Sequence, residues 1–459
     1  MHLQELKSYA EKFREYTELR VQENRALRLT LINGNVVGNV RTSQSGVAAR
    51  VFKQGKWGFA CHPDVNNSTI GQVIDRATAN ADFLGSKENL PTVTLPGRPG
   101  EIIRDHVYAN PRLTQKELIE FLREVDDHII GKYPDLKSRN VTLSTLEMEK
   151  TLLTTDGSAA FTLVPRALVS TVMSLEKDGK PVELYEVYGG FGFFEDNFRQ
   201  PDELYAKLEE QYRHLKNKST GIYPEAGEHD CILGPDLAGI LSHEAIGHTV
   251  EADIVLGGSI AADHLNQLVA TPALTMIDFA HTALGRTCPV PVYMDDEGII
   301  AEDAVLIKEG ILKTFMNNRE TAAHYGVRPT GNARAYAFSD EPLIRMRNTA
   351  ILPGDDKLAD MIASIDKGYY LMKASNGEAD STSEFMFGVV QGYEIEKGRL
   401  ERAILDTTIS GVAFDMLKTI SMISDDMVWG CSGMCGKKQV IPVGMGGPAV
   451  KCRIRIGGK

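Results

Sequence analysis

The chain reads as an α+β protein. A mixed α/β N-terminal domain with a largely antiparallel sheet is expected over residues 1–219. A β-rich C-terminal domain carrying an HExxxH helix is expected over residues 220–459. Three observations predict this. Period-two apolar runs ending in tight-turn dipeptides recur through the first 180 residues and mark antiparallel strands. Helical stripes with start signals interrupt them and mark covering helices. Beyond residue 270 the chain turns rich in glycine and short β patterns.

Residues 2–17 place Leu3, Leu6, Tyr9, Ala10, Phe13 and Tyr16 at helical spacing, which predicts an opening amphipathic helix. Leu27, Leu29 and Leu31 then alternate with polar residues, and Asn33-Gly34 predicts a hairpin turn. GVAARVFKQGKWGFAC (46–61) reads as two strands around Gln54-Gly55, and residues 69–84 read as a helix. The polar, Pro- and Gly-containing stretch 87–101 reads as a surface crossing. Thr114 and Glu117 have capping-box spacing before the stripe Leu118, Ile119, Leu122, Val125 and Ile129. Residues 140–180 alternate as antiparallel strands, and a charged helix follows at about 201–217.

In the second half, HDCILG (229–234) is a short strand. Gly234-Pro235-Asp236 opens a helix, with proline in an allowed first-turn position and an acid near the positive end of the dipole. That helix runs through HEAIGH. VLIKEGILKTFM (305–316) and FGVVQGYEIEKGRLERAIL (387–405) read as hairpins around Glu309-Gly310 and Lys397-Gly398.

Composition narrows the function classes. With 42% hydrophobic and 24% charged residues, the 459-residue chain is ordinary for a globular protein. Its net charge of −12 argues against a general nucleic-acid binder, which needs a concentrated basic face. No apolar run reaches the roughly 18–20 residues of a membrane helix. The charged, helix-like start MHLQELKSYAEKFREY is not a signal peptide, so a cytoplasmic address is expected, with no membrane partner. Six cysteines are too few for a disulfide framework. Cys61, Cys231 and Cys288 are isolated, whereas Cys431, Cys435 and Cys452 fall in the last 29 residues.

The most informative segment is SHEAIGHTV (242–250). His243 and His248 with Glu244 beside the first are the parts of a hydrolytic metal site: two imidazole ligands and a carboxylate base. The common HExxH pattern spaces its histidines by four residues. Here the spacing is five. At about 100° per residue, four steps leave a net rotation of ~40° and five leave ~140°. A regular α-helix would aim the two rings apart. A shared metal therefore requires a distorted helix, and a π-type turn at Gly247 would realign them. The alternative is an ordinary helix with a buried His243 and a surface His248. Glu251 and Asp253, one turn on, fit either partners that hold an imidazole tautomer or a solvated acidic helix end.

A catalytic zinc site takes three protein ligands. His264 and His281 are the nearest downstream histidines, in unconvincing settings. The glycine-rich segment VWGCSGMCGKKQVIPVGMGGP (428–448) offers thiolates instead. Its CxxxC pair, Cys431 and Cys435, reads equally as a metal half-site, a redox pair or neither.

With these motifs in view, the chain resembles the TldD/PmbA family of zinc metalloproteases, and its TldD-type active members. The likeness runs over nearly the full length, through GVAARVFKQGKWGFAC, SHEAIGHTVEAD, DDEG (295–298), VLIKEGILKTFMNNRETA, PTGNAR (329–334), RMRNT (345–349) and MCGKKQVIPVGMGGP. The resemblance implies Zn2+ held by His243, His248 and Cys435, the last in the matching MCGK, with Cys431 as the main alternative. It implies Glu244 as the catalytic base that activates a zinc-bound water against peptide bonds of small or unfolded peptides. Such peptides could add to a strand edge near the site. It also implies a homodimer, or a heterodimer with a TldE/PmbA-like subunit that lacks the motif. A non-catalytic peptide-binding or regulatory subunit with a structural zinc is the alternative, and the intact Glu244 argues against it. The family's other description, as a modulator of DNA gyrase, fits poorly with the net charge of −12.

Overall fold

The computed structural model describes residues 3–87, 94–107 and 110–457. His2 of the expected opening helix and residues 88–93 of the expected crossing lie outside the described residues.

The first sheet has seven strands: β1 (Tyr16–Ile32), β2 (Asn35–Lys53), β3 (Lys56–His62), β4 (Glu101–Arg104), β5 (Ser138–Thr154), β6 (Ala159–Lys177) and β7 (Lys180–Phe191). Their order is β3-β2-β1-β5-β6-β4, with β7 also on β6. Every pair is antiparallel except β4–β6. The Asn33-Gly34 turn is where the sequence puts it, with φ of 48° and 80°. The asparagine and glycine accept that left-handed backbone cheaply.

Odd-numbered apolar residues of β1 share cores with three helices. Leu19 and Val21 pack with Ile70, Val73 and Ala77 of helix 67–85. Leu27, Leu29 and Leu31 pack with Leu122, Val125 and Ile129 of helix 115–132 and with Leu208 and Leu215 of helix 205–219. Each such side chain contributes roughly 1.5–3 kcal/mol by leaving water, which fixes the side that carries the helices. The Thr114–Glu117 capping box is formed. The opening helix is shorter than expected. It is α-helical over Leu3–Lys7, tightens to a 3-10 turn over Ser8–Lys12, and gives way to β1 at Tyr16. Tyr16 joins the sheet opposite Phe52 and stacks edge-on against Trp57, so tertiary pairing overrides the helical spacing.

The even-numbered residues Glu18, Arg20, Gln22 and Asn24 of β1 are also buried, although they are polar. Gln22 and Asn24 donate to the Tyr336 carbonyl at 2.5 and 2.7 Å, and Arg20 donates to the Asp340 carbonyl at 2.7 Å. Lys150 of β5 pairs with Asp296 at 2.6 Å, and Arg50 of β2 pairs with Glu297. This face of the sheet lies against the second half of the chain.

There, strands 367–379, 227–233 (β8), 450–456, 407–412 and 384–396 form a closed ring, because 384–396 pairs with both 407–412 and 367–379. A second, six-stranded sheet contains 276–279, 304–308, 348–351, 444–447 and, at its edge, 428–430. The helix that follows β8 lies between the two. Its Leu237, Ala238, Leu241, Ala245 and Ile246 share one core with Leu371, Phe387 and Ile454 of the ring and Met276 and Ile351 of the sheet.

Candidate metal centre

The site helix begins as α-helix over Pro235–Ile240 and becomes a π-helix over Leu241–Gly247. The His248 N–H donates to the His243 carbonyl. That i to i+5 bond joins the two histidines of the motif directly and brings their rings to 5.1 Å between centroids. The expected departure from α geometry is therefore present, and Gly247 lies within it. A Cβ on Gly247 would run into the Met346 sulfur and come within 3.0 Å of the Ser242 carbonyl. Only glycine lets the widened turn pack on Met346 this closely.

Cys435 comes from the far end of the chain. One donor atom from each of His243, His248 and Cys435 lies within 4.8 Å of the others. His248 Nε2 is 3.4 Å from Cys435 Sγ. Tetrahedral zinc with ordinary nitrogen and sulfur bond lengths would hold such a pair about 3.6 Å apart. Glu244 Oε2 is 3.6 Å from His248 Nε2, on a partly open side of the cluster.

The arrangement around the donors is specific. His248 Nδ1 is 2.9 Å from Glu251 Oε2, so the carboxylate fixes the ring with Nε2 toward Cys435. Lys437 Nζ pairs with the same Glu251 oxygen at 3.2 Å and with Asp253 at 2.7 Å. Lys437 stands two residues after Cys435, so this one ammonium ties the cysteine segment to the acid that orients His248. Arg345, fully buried, donates to the carbonyls of Cys435, Lys437 and Gln439 at 2.6, 2.9 and 2.8 Å. From the N-terminal sheet, Arg166 of β6 reaches the Cys431 carbonyl.

Burial raises the Cys435 thiol, but contacts with His243 and His248 outweigh it and bring it down to about 4. Burial lowers His248, yet Cys435 and Glu251 push it up to about 10. Burial likewise works against the Glu251 carboxylate, and His248 and Lys437 hold it below its usual range. The cluster thus stabilises a thiolate, the form of cysteine that binds metals. His243 supplies the fit test. It is fully buried, and neither ring nitrogen has a hydrogen-bond partner among the described residues. A buried unsatisfied polar atom costs about 1–3 kcal/mol. A cation coordinated beside the thiolate and the second imidazole would satisfy one of these two nitrogens, so the residues present fit zinc.

Of the residues singled out in the sequence, the structure brings His243, Glu244, His248 and Cys435 together, with Glu251 and Asp253 behind them. Cys431 is not part of the donor group. His264 bonds to the Ile260 carbonyl and His281 stacks on Tyr293, both outside it. Sequence reasoning assigned nothing to Lys437, Arg345 or Arg166. Lys437 had a signal, its place in the same short motif as Cys435. The two arginines act on backbone carbonyls, which carry no sequence signal.

Comparison with known proteins places these observations. The PmbA/TldA metallopeptidase C-terminal domain matches residues 226–458, and PmbA/TldA metallopeptidase domain 1 matches residues 17–81. The zinc metalloprotease TldD homolog of Saccharolobus solfataricus is 30% identical over 416 residues, 90% of each chain. The metalloprotease TldD homolog of Haemophilus influenzae is 30% identical over 458 residues, 97% of this chain and 93% of the relative. The solved structure of TldE from Thermococcus kodakarensis shares the fold at a TM-score of 0.76 and 19% identity, covering 99% of this chain and 100% of that one.

Proposed function

The chain belongs to the PmbA/TldD metallopeptidase family, and from that premise we propose that it is a zinc-dependent peptidase that hydrolyses bonds in small or unfolded peptides. The supporting observation is the π turn, which lets His243 and His248 converge on Cys435 while Glu244 stays beside them. In this reading His243, His248 and Cys435 hold the metal. Residues 220–459 form the metallopeptidase domain and residues 1–219 the N-terminal domain.

Zinc, when bound, supplies a Lewis acid for the peptide carbonyl and lowers the pKa of a water toward neutrality. The chain's own residues do the rest. Glu244 takes the proton of the attacking water and returns it to the leaving amine. Glu251 holds the His248 Nδ1 proton, so Nε2 is the nitrogen that gives up its proton and offers a lone pair to the metal. Lys437 neutralises Glu251 and holds Asp253, so the orienting carboxylate stays ionised while buried. The half-open position of Glu244 leaves room for an extended backbone. The partner would be a second copy or a TldE/PmbA-like subunit. No helix among the described residues is long and apolar enough to cross a membrane.

The test compares zinc content and cleavage of an unstructured peptide for the parent, Glu244→Gln, His248→Ala and Cys435→Ala. Loss of a general base lowers the rate by about 10²–10⁴, so Glu244→Gln is expected to keep its zinc and lose cleavage. His248→Ala and Cys435→Ala are expected to lose the zinc. Retained cleavage in Glu244→Gln would remove the base assignment, and full zinc occupancy in Cys435→Ala would remove that ligand.

A further inference from the structure

The exposed residues of the site helix form one stripe. Pro235, Asp236, Ile240, Glu244 and His248 are half-buried, and the residues between them are buried. Asp236, Ile240 and Glu244 recur at four-residue spacing, which is one helical face. Chain lies on both sides of that face. On one side is strand 367–379, whose Ala374 N–H donates to Asp236 Oδ2 at 3.0 Å. On the other is the edge strand 428–430, which continues to Cys435; a Cβ on Gly430 would stand 3.8 Å from Asp236 Oδ1. Gly377 of the same strand lies beside Ile240, and Cys435 lies beside His248, so the stripe runs between these two segments from Asp236 to Glu244.

At the Asp236 end the stripe meets a cavity of about 540 Å³ between β7, helix 205–219 and the second half of the chain. Eight residues of helix separate Asp236 from Glu244, about 10–12 Å. Extended peptide covers that distance in three to four residues, at roughly 3.3 Å each. The cavity is walled by rings: Tyr185 and Tyr188 of β7, Tyr370 and Trp429. Both of its lysines are engaged. Lys373 pairs with Glu186 at 2.6 Å and lies 4.6 Å over the Tyr185 ring, and Lys207 lies 5.6 Å over the Tyr188 ring. Such a wall favours a large aromatic guest, which gains ring contacts beyond its buried area. The volume exceeds that of one side chain and lies within the roughly 300–1,000 Å³ of ordinary ligand pockets.

We propose that this cavity is a distal anchoring subsite that takes an aromatic side chain of a peptide, three to four residues from the bond facing Glu244, with the peptide backbone lying along the helix stripe. The assignment rests on the peptidase reading above. It makes the enzyme selective for length and for a remote aromatic residue, not for the residues at the cut bond.

The chain has two tryptophans, Trp57 and Trp429, so Trp57→Phe leaves Trp429 as the sole reporter in the cavity wall. The zinc-loaded Trp57→Phe, Glu244→Gln protein is titrated with unstructured decapeptides carrying one Phe near either end, with their Phe→Ala versions and with a tetrapeptide. A saturable change in Trp429 emission is expected, at least tenfold tighter for one Phe peptide than for its Ala version, with no change for the tetrapeptide. The zinc-loaded parent is expected to show the same tenfold preference in kcat/KM. Cleavage of decapeptides without Phe preference or emission change overturns the subsite and leaves the peptidase reading standing. Phe-selective binding without cleavage of any peptide does the reverse. Neither binding nor cleavage overturns both.

Discussion

Asp278 and His243 are both fully buried, and their surroundings differ in one respect. Every lone-pair direction of Asp278 is used. Oδ1 accepts from the N–H groups of Arg347 and Asn348 at 2.8 and 3.1 Å, and Oδ2 accepts from Arg347 Nε and Asn332 Nδ2 at 2.8 Å each. Arg347 in turn spends its remaining donors on the carbonyls of Asp278, Glu302, Thr330 and Gly331. His243 has no hydrogen-bond partner at either nitrogen among the described residues. The Asp278 carboxylate is complete as protein and needs nothing from outside. His243 holds a nitrogen lone pair that only something from outside would accept. Buried polarity alone does not mark a functional site; an unfinished imidazole beside a thiolate and a second imidazole points to one.

The largest effect should come from breaking the complete cluster. Asp278→Ala strands a fully buried guanidinium, which costs about 3–5 kcal/mol. Its free energy of unfolding is expected to fall by that much, with or without zinc. The unfinished cluster should behave in the opposite way. Zinc at 100 times its Kd stabilises a protein by about 2.7 kcal/mol, so the parent's Tm should rise with zinc. His243→Leu should lose that rise and, metal-free, be no less stable than the parent. A metal-free His243→Leu that unfolds much earlier would show that His243 is a satisfied structural residue after all.

Smaller is the effect of Lys437→Met. Loss of a group that orients a ligand typically lowers metal affinity about 10–100-fold. Chelator competition should show that loss, and Lys437→Arg should recover part of it. Unchanged zinc affinity would reduce Lys437 to a surface anchor. The smallest effect sharpens the junction between the sheet and the second half. Burial pushes Lys150 down to about 8, partly offset by Asp296. Between that value and the ordinary lysine pKa of about 10.4 the unfolded chain binds the extra proton. Stability should therefore rise with pH across this window. Subtracting the Lys150→Met profile isolates the slope, and a flat difference curve would show that Lys150 stays protonated.

Much of the fold was legible because it rests on local chemistry. Asn33-Gly34 and Lys397-Gly398 turn where a positive φ is needed, and Thr114 caps its helix. The five-residue spacing of His243 and His248 predicted a non-α turn for purely angular reasons. Other features are not local. A period of two says that Glu18, Arg20, Gln22 and Asn24 share a face, but not that this face meets the Tyr336 and Asp340 carbonyls instead of water. The closed ring depends on strand 384–396 choosing two partners, and no local pattern encodes that choice. Lys437 reads as one more surface lysine until Glu251 and Asp253 are seen beside it.

The separation of Cys435 from His248 has a consequence in time. The two lie 187 residues apart. A ribosome adding about 5–20 residues per second needs roughly 10–40 s to cover that distance. Strand 450–456, which pairs with β8 just ahead of the site helix, emerges later still. In the proposed reading, a growing chain therefore carries two imidazoles and a carboxylate for many seconds without the thiolate that completes the donor set. Any cutting power of that site would stay latent until Cys435 has emerged, so a shorter nascent copy would not attack other unfolded chains around it.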